Sequence, residues 1–419
     1  MQSVFDGATV SVNCSAPPGG PGFPTIDMTQ IPRYGSTGTV AGHVSHVNPS
    51  QYSVAAYIRV NGFWYVKPTY ADPFTIILSD GGWSLSVTSD TREDSFAAFT
   101  IPNTYNPLGN FASIPADLYA HSVASSVRHR SDRNFDARGK SDLIVFRPSS
   151  GVWFSKLSGG GPAMFNWGTQ GDIVVAADYE GQGKSNYAIF RPSTETWYIR
   201  NQDGSTTVQG WGSPGDIPVP GDYDGDGKAD IAVWRPSNGI WYVIPSSHPN
   251  QPIFMAWGGV IDGVQDIPVP ADYDADGKTD FAVFRPSTGE WFIIPSSNPS
   301  STIHVSWGGV VNGAQDIPVP ADYDGDGKAD IAVWRPGTGV WYIIPSATPS
   351  ATLAQAWGGT GDIPVPADYD GDGKADLAVW RPGNGIWYVV PSANPSSPIF
   401  TPWGGGEDVP ANIPVGQQH

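Results

Sequence analysis

The sequence predicts an all-β chain in which an antiparallel β-sandwich is followed by a β-propeller. Motifs recur every 44 to 50 residues, and strand-like segments alternate with turn residues. The chain also contains 51 Gly, 40 Pro and 12% aromatic residues. Disordered chains rich in Gly and Pro lack aromatic residues, so this composition favours a folded, turn-rich protein.

Three regions are predicted along the chain. Residues 1–35 form an N-terminal extension that ends in the Pro/Gly linker "CSAPPGGPGFP". Residues 36–131 form the sandwich, because "YSVAAYIRV" and "FTIILSDGGWSLSVTS" alternate in polarity and "SDGGW" is typical of a hairpin. Residues 132–419 form the propeller.

Six repeats make up the propeller region. Phe-Arg-Pro or Trp-Arg-Pro begins at 146, 190, 234, 284, 334 and 380, and Trp-Gly begins at 167, 211, 257, 307, 357 and 403. Each repeat contains four strand-like segments, as in one propeller blade. A blade cannot bury both faces alone, so neighbouring blades are expected to stack into a ring.

The first repeat lacks the "DIPVP" segment that opens most of the others, and a similar segment, "EDVPANIPVG", occupies 407–416. We therefore expect a C-terminal strand to complete the first blade and close the ring. Six blades are favoured, and seven are possible if residues before 132 supply part of another sheet.

Each repeat contains a nine-residue polar loop, and we number these loops in chain order: loops 1 to 6 are 134–142, 178–186, 222–230, 272–280, 322–330 and 368–376. Loops 3 to 6 follow the pattern DYDxDGKxD. Two carboxylates 4 Å apart repel by roughly 4 kcal/mol at an effective dielectric constant near 20, so a cation is expected among them.

Oxygen ligands without His or Cys select Ca²⁺, and the Gly at position 6 permits the turn that returns later ligands to the ion. Positions 1, 3, 5 and 9 would ligate through side chains and position 7 through its backbone carbonyl. The predicted ligands are Asp222, Asp224, Asp226, Lys228, Asp230, Asp272, Asp274, Asp276, Lys278, Asp280, Asp322, Asp324, Asp326, Lys328, Asp330, Asp368, Asp370, Asp372, Lys374 and Asp376.

Loops 1 and 2 depart from this pattern. Loop 2 keeps oxygen ligands with less charge, so its site is expected to be weak or absent; its residues are Asp178, Glu180, Gln182 and Asn186. Loop 1 has Arg138 at position 5, where a guanidinium could pair with Asp136 and Asp142 in place of an ion. Four Ca²⁺ sites are expected, and a fifth, degenerate one is possible.

The DYDGDGKAD–AVWRP–WY pattern resembles the FG-GAP or VCBS-type repeat of integrin α propellers and many secreted bacterial proteins. The resemblance implies a propeller with Ca²⁺ in its DxDxDGxxD loops. The segment before the repeats, through "AAYIRVNGFWYVKPTYADP" and "DGGWSLSVTSD", is similar to accessory β-sandwich modules of secreted bacterial glycoside hydrolases.

The net charge of −18 argues against nucleic acid and anionic membrane partners, which select basic patches. No apolar run approaches the roughly 18 residues of a membrane span. The first residues show no basic start followed by an apolar stretch, so a secretory leader is not predicted in them. No nucleophile–base arrangement occurs, which favours a protein that is not an enzyme.

The six mid-strand Trp residues of the repeats are interpreted as packing between blades; they are Trp153, Trp197, Trp241, Trp291, Trp341 and Trp387. The alternative is that the six Trp-Gly pairs and six Arg-Pro pairs line equivalent clefts, where a sugar ring stacks on indole and its hydroxyls meet Arg. Trp64 and Trp83 in the sandwich are candidate ligand-binding residues or core residues.

These observations predict an extracellular or cell-surface binding or adhesion protein that is stabilised by Ca²⁺ and recognises carbohydrate or a cell-surface protein. Two alternatives are a filament or surface-layer subunit that self-associates through its N-terminal strand, and an accessory module of a glycoside hydrolase.

Overall fold

The computed structural model describes residues 24–26, 28, 38–60, 63–67, 73–87, 93–106, 118, 121–122, 124–129, 134–136 and 139–411. The fold is all-β, and Leu118 and His121 are the described residues with helical backbone. Arg138 and the proposed N-terminal strand "SVFDGATVSV" lie outside the described residues. Among the described residues, none belongs to a helix long and apolar enough to cross a membrane.

Two sheets precede the repeats. One has the strand order β1-β2-β6, and the other has the order β4-β3-β7-β8 with β5 also pairing β3. The strands are β1 Thr25–Ile26, β2 Gly38–Ser45, β3 Tyr52–Val60, β4 Phe63–Lys67, β5 Thr75–Ile76, β6 Gly82–Val87, β7 Glu93–Pro102 and β8 Ala124–His129.

Strand β3 is buried on both faces, which explains its long apolar run. Val54, Ala56 and Ile58 join a cluster that includes residues of β2 and β6. Ala55 and Tyr57, which point the other way, pack with residues of β4 and β7. The two sheets therefore share one core, while a second core covers the opposite face of β3. The interpretation of residues 36–131 as a separate accessory domain stays a prediction.

The described residues of the repeat region form six four-stranded antiparallel sheets. Sheet 1 contains β9 Leu143–Arg147, β10 Val152–Lys156 and β11 Pro162–Asn166, with β36 Val409–Pro410 as its fourth strand; sheet 2 contains β12 Ile173–Val174, β13 Tyr187–Arg191, β14 Thr196–Arg200 and β15 Thr206–Gly210; sheet 3 contains β16 Ile217–Pro218, β17 Ile231–Arg235, β18 Ile240–Ile244 and β19 Ile253–Ala256.

The remaining sheets follow the same order. Sheet 4 contains β22 Ile267–Pro268, β23 Phe281–Arg285, β24 Glu290–Ile294 and β25 Ile303–Ser306; sheet 5 contains β28 Ile317–Pro318, β29 Ile331–Arg335, β30 Val340–Ile344 and β31 Leu353–Ala356; sheet 6 contains β32 Ile363–Pro364, β33 Leu377–Arg381, β34 Ile386–Val390 and β35 Ile399–Pro402. Two small hairpins lie between sheets 3 and 4 and between sheets 4 and 5: β20 Val260–Ile261 with β21 Val264–Gln265, and β26 Val310–Val311 with β27 Ala314–Gln315.

The predicted closure by a C-terminal strand is confirmed. Strand β36 pairs antiparallel with β9, with Val409 opposite Phe146. In sheet 5 the corresponding pair joins Ile317 of β28 to Trp334 of β29. The last repeat thus returns to the first, as a closed β-propeller requires.

The mid-strand Trp residues pack between sheets, as the packing interpretation predicts, while the sugar-binding clefts at the Trp-Gly and Arg-Pro pairs stay a prediction. All six are 0% exposed. A second set of indoles, those of the Trp-Gly pairs, joins neighbouring sheets: Trp307 Nε1 donates to Tyr342 O at 3.0 Å, and Trp403 Nε1 donates to Phe154 O at 3.3 Å across the closure. Adjacent sheets are therefore held together both by buried Trp side chains and by indole N–H hydrogen bonds.

Each Arg-Pro arginine forms a bidentate ion pair with an Asp of its own sheet, at Nε–Oδ1 distances of 2.6 to 2.9 Å. The same guanidinium lies over the aromatic ring that follows the mid-strand Trp, for example 4.5 Å from the Tyr342 centroid for Arg335. The pairs are Arg147–Asp408, Arg191–Asp172, Arg235–Asp216, Arg285–Asp266, Arg335–Asp316 and Arg381–Asp362.

Candidate metal centres

The six loops are joined head to tail by backbone hydrogen bonds. In each, the carbonyl of position 1 accepts from the N–H of position 8 in the next loop, at 2.6 to 2.8 Å. The donor–acceptor pairs are Ser185–Asn134, Ala229–Asp178, Thr279–Asp222, Ala329–Asp272, Ala375–Asp322 and Ser141–Asp368. The last pair links loop 6 to loop 1, so the loops form one ring of backbone contacts at the same end of every sheet.

The first aspartate of each acidic loop organises the turn. In loop 3, Asp222 accepts from the N–H of Gly225 at 2.6 Å and of Gly227 at 2.8 Å. Both glycines have positive φ, +81° and +83°, a conformation that an L side chain rarely adopts. The Gly at position 6 thus has the role that the sequence predicts for it.

Four aspartate clusters could hold a metal ion. Within each, one carboxylate oxygen per residue lies within 4.8 Å of the others. Oxygens on opposite sides of a Ca²⁺ ion are about 4.8 Å apart, since each lies roughly 2.4 Å from it, so the spacing fits one coordination sphere. The clusters are Asp222, Asp224 and Asp230; Asp272, Asp274 and Asp276; Asp322, Asp324 and Asp330; and Asp368, Asp370 and Asp376.

The structure places the other predicted ligands beside these clusters. Asp226, Asp280, Asp326 and Asp372 belong to the same four loops, and Asp280 accepts from Tyr273 N at 2.8 Å, as the ninth residue does in the other three loops. Ligation by the backbone carbonyls of Lys228, Lys278, Lys328 and Lys374 stays a prediction.

A serine after the third strand of each of sheets 3 to 6 fixes the loop to its own sheet. In sheet 5, Ser346 N donates to Asp330 at 2.6 Å, and Ser346 Oγ donates to Asp326 at 2.8 Å. Ser246, Ser296 and Ser392 make the same two contacts in their sheets. An ion in the loop would therefore hold an aspartate already bound to the sheet.

Burial and like charge make these clusters unfavourable without a cation. Burial, with a smaller contribution from the Asp224 charge, raises the pKa of Asp230 to about 7. Burial likewise raises the pKa of Asp330 and of Asp376 to about 7. Two carboxylates 4.8 Å apart repel by roughly 3 kcal/mol at an effective dielectric constant of 20, so a divalent cation would stabilise the loops.

Loop 2 differs from loops 3 to 6 at its third and ninth residues, Glu180 and Asn186. Asn186 Nδ2 donates to Glu180 Oε2 at 2.7 Å, and Gln202 N donates to the same oxygen at 2.7 Å. Asp178 accepts from the backbone N–H of Gln182 and Gly183 at 3.1 and 2.6 Å. The Asn186 amide thus donates to Glu180, whereas loops 3 to 6 have two aspartates at the same two positions.

Loop 1 also uses backbone donors. Asp142 accepts from Phe135 N at 2.7 Å and Ser158 N at 2.5 Å, while Asp136 accepts from Gly159 N at 2.9 Å. Burial raises the pKa of Asp142 to about 6, and the Asp136 charge also raises it. The predicted pairing of Arg138 with these carboxylates lies outside the described residues.

Trp64 and Trp83, the candidate ligand-binding residues, lie in the cores of the N-terminal sheets at 5% and 2% exposure. Trp64 packs with Tyr57 and Phe99, and Trp83 packs in the cluster shared by both sheets. Neither indole presents a face to solvent here, and the structure supports their alternative role as core residues.

Sequence reasoning missed two sets of contacts that carried a signal. The Ser partners follow a Pro in repeats 3 to 6, at 246, 296, 346 and 392, the same repeats that carry the four-aspartate loops. The Asp of each ion pair precedes its Arg by 19 residues in five repeats. In the first repeat the Asp lies 261 residues after Arg147, as expected if the C-terminal segment replaces the missing one.

Comparison with protein families matches the FG-GAP-like repeat at residues 222–283, 272–333 and 322–379. These matches span loops 3 to 6, the four loops that contain the aspartate clusters. A comparison with curated protein sequences finds no match.

Three similar solved structures are lyases. A virginiamycin B lyase from Staphylococcus aureus has a TM-score of 0.40 and 10% identity over 63% of this chain and 81% of that one. A streptogramin B lyase has a TM-score of 0.39 and 7% identity, over 82% of this chain and 96% of that one. A catalytically inactive virginiamycin B lyase from S. aureus with quinupristin has a TM-score of 0.38 and 9% identity, over 81% of this chain and 96% of that one. Likenesses this distant carry no argument about activity.

Sheet order, strand closure and the ring of loops together define the repeat region as a β-propeller. Residues 222–379 of this propeller match the FG-GAP-like repeat, and the four acidic loops in this segment could each hold a metal ion.

Proposed function

We propose that this chain is a non-enzymatic binding or adhesion protein, secreted or held at a cell surface, whose propeller is stabilised by Ca²⁺. The observation that carries the proposal is the set of four aspartate clusters with ligand atoms within 4.8 Å of one another. Their ligands are all hard oxygens, which favours Ca²⁺ over Zn²⁺ or Cu²⁺. Loop 2 and loop 1 are expected to bind Ca²⁺ weakly or not at all.

The proposed role of Ca²⁺ is structural. Each ion would neutralise carboxylates that are bound at one end to the serine of their own sheet and, through the loop backbone, to the next loop. Because the clusters exist only in the folded chain, binding free energy becomes folding free energy. When the free Ca²⁺ concentration is 100 times the dissociation constant of a site, binding there adds about 2.7 kcal/mol to the free energy of unfolding.

The location of the ionisable groups supports a non-enzymatic role. The buried aspartates of sheets 1 to 6 pair with arginines, and those of the loops accept backbone N–H groups. FG-GAP repeats are typical of extracellular proteins, which work where Ca²⁺ is abundant, and this supports secretion or surface attachment.

Exposed aromatic pairs on the outer strands support recognition of a carbohydrate or a cell-surface protein. Phe254 and Phe400 are 58% and 56% exposed, and each packs edge-on against a Tyr of the neighbouring strand at 5.5 Å. Exposed rings held rigidly in this way can stack on sugars or anchor a protein contact. These two residues replace the buried Trp64 and Trp83 as candidate contacts.

The metal proposal is tested by counting bound ions with native mass spectrometry and by thermal unfolding with Ca²⁺ or with chelator. We expect four ions and a higher unfolding midpoint with Ca²⁺. Asp330→Asn should remove one ion and lower the midpoint. Asp262→Asn is the matched control, because this residue is exposed in a hairpin whose counterpart already has Asn312. A midpoint that does not respond to chelator would contradict the proposal.

The binding role is tested separately with a glycan array and a cell-surface pull-down in Ca²⁺. Phe254→Ala with Phe400→Ala should abolish retention of the protein and lower the unfolding midpoint only slightly, because more than half of each ring is exposed and each loses one edge contact with a Tyr. Retention that is indifferent to these changes would contradict their role, and turnover of a bound glycan would contradict the non-enzymatic proposal.

A further inference from the structure

Arg59 extends from the N-terminal sheets to the place where loops 2 and 3 meet. The residue lies in β3, opposite Trp64 of β4, and is 6% exposed. A Cβ added to Gly181 of loop 2 would lie 3.2 Å from Arg59 Nη2 and 3.2 Å from the carbonyl oxygen of Gly227 in loop 3. A Cβ added to Gly227 would lie 3.6 Å from Arg59 Nη1. The guanidinium therefore contacts both loops closely.

Of the two loops that Arg59 approaches, loop 2 has half-buried acids but no cluster of three aspartates, whereas loop 3 has such a cluster. Glu180 of loop 2 already accepts hydrogen bonds from two N–H donors, of Asn186 and Gln202. The other carboxylate of the loop, Asp178, is half-buried: burial raises the pKa of Asp178, while its backbone donors and the Arg59 charge lower it. Among the described residues, the Nε atom of Arg59 has no hydrogen-bond partner, so this atom adds no hydrogen bond to the contact.

We propose that Arg59 is the built-in cation of loop 2 and that it docks the N-terminal sheets onto the loop face of the propeller. Loops 3 to 6 use an ion from solution, whereas loop 2 uses a guanidinium supplied by another part of the same chain. Glycine at 181 leaves room for this approach. The attraction between the Arg59 guanidinium and the carboxylates of loop 2 thereby orients the N-terminal sheets, and this contact needs no Ca²⁺ in loop 2.

The proposal is tested on the full chain with Arg59→Met, which removes the charge and keeps most of the side-chain volume. Hydrogen exchange of residues 178–183 should accelerate by at least about tenfold, because the docked cation protects this loop. Small-angle scattering should show a larger radius of gyration, and exchange in loops 4 to 6 should not change. Lys67→Met removes a cation of the same sheets, from β4, and should change neither measurement.

Arg59→Lys keeps the charge and should retain most of the protection of loop 2. A second experiment restores acids to loop 2 through Glu180→Asp, Gln182→Asp and Asn186→Asp. This loop should bind Ca²⁺ at least about tenfold more tightly with Met at 59 than with Arg, because the guanidinium no longer competes for the site. The proposal would be overturned by unchanged hydrogen exchange and scattering in Arg59→Met, or by equal Ca²⁺ affinity of the altered loop 2 with and without Arg59→Met. The exchange experiment tests the Arg59 contact whether or not loops 3 to 6 bind Ca²⁺.

Discussion

The repeated ion pairs allow a stability prediction in which one sheet serves as the control for another. Arg335 and Arg381 occupy equivalent positions in sheets 5 and 6, and both lie 4.5 Å from a Tyr centroid. Their partners, Asp316 and Asp362, have side chains that are 0% and 1% exposed. The arginines differ in exposure, at 20% and 41%, so water screens the second pair more.

Replacing Arg335 by Met leaves the Asp316 carboxylate buried and without its cation. Breaking a buried pair costs about 3 to 5 kcal/mol, and the partial exposure of Arg335 places its loss near the lower end, at about 3 kcal/mol. Arg381→Met should cost about 1 to 2 kcal/mol, between the buried and the surface limits. The lost ring contact is the same in both variants and does not contribute to the difference.

Denaturant unfolding followed by Trp fluorescence, at a fixed Ca²⁺ concentration, measures both losses. Adding Asp316→Asn to Arg335→Met should recover at least half of the loss, because the uncompensated charge is gone. Equal losses at the two sites would refute the argument that exposure of the arginine weakens the pair. Strictly additive effects in the double variant would refute the argument that an uncompensated, buried Asp316 carboxylate causes the loss.

Three further predictions use matched positions. Gly239→Ala should destabilise the chain by more than 1 kcal/mol, because φ is +67° and the new Cβ would lie 2.1 Å from Gly258 O; Gly337→Ala, with no atom within 4 Å, should be neutral in the same unfolding assay. Trp291→Phe should cost about 1 kcal/mol more than Trp341→Phe, because Trp357 O keeps a second indole donor, from Trp334, whereas Trp291 is the one indole donor to Trp307 O among the described residues. Thr100→Val should be neutral or stabilising by up to about 1 kcal/mol, because the buried Oγ1 has no partner within the described part of the chain; a loss above 1 kcal/mol in thermal unfolding would contradict this reading.

Much of the propeller could be predicted from the sequence because its signals are local and repeated. The spacing of Arg-Pro and Trp-Gly motifs marks the strands, and the missing first segment of repeat 1 predicts that β36 completes sheet 1. The acidic loops could be found for the same reason, since four ligands fall within nine residues and a bound ion needs them in one turn.

Contacts between distant segments could not be predicted in this way. Arg59 lies in the N-terminal sheets and approaches Gly181 in the propeller, and no repeated motif in the sequence indicates this contact. Trp64 and Trp83 show the limit for single residues: an indole suits a core as well as a sugar platform, and burial on β4 and β6 is set by how the sheets pack. The sequence shows the 19-residue spacing between Asp and Arg, but only the structure shows that the two side chains form a bidentate ion pair.

The pairing of β36 with β9 constrains how the molecule is made. Sheets 2 to 6 can stack in order during synthesis, but β9 keeps an open edge until residues more than 260 positions later emerge from the ribosome. An unpaired strand edge is a site for association with other chains, so the interval before the last strand arrives is when two nascent copies could exchange segments. Conditions that delay release of the C-terminal residues should therefore favour entangled dimers over monomers.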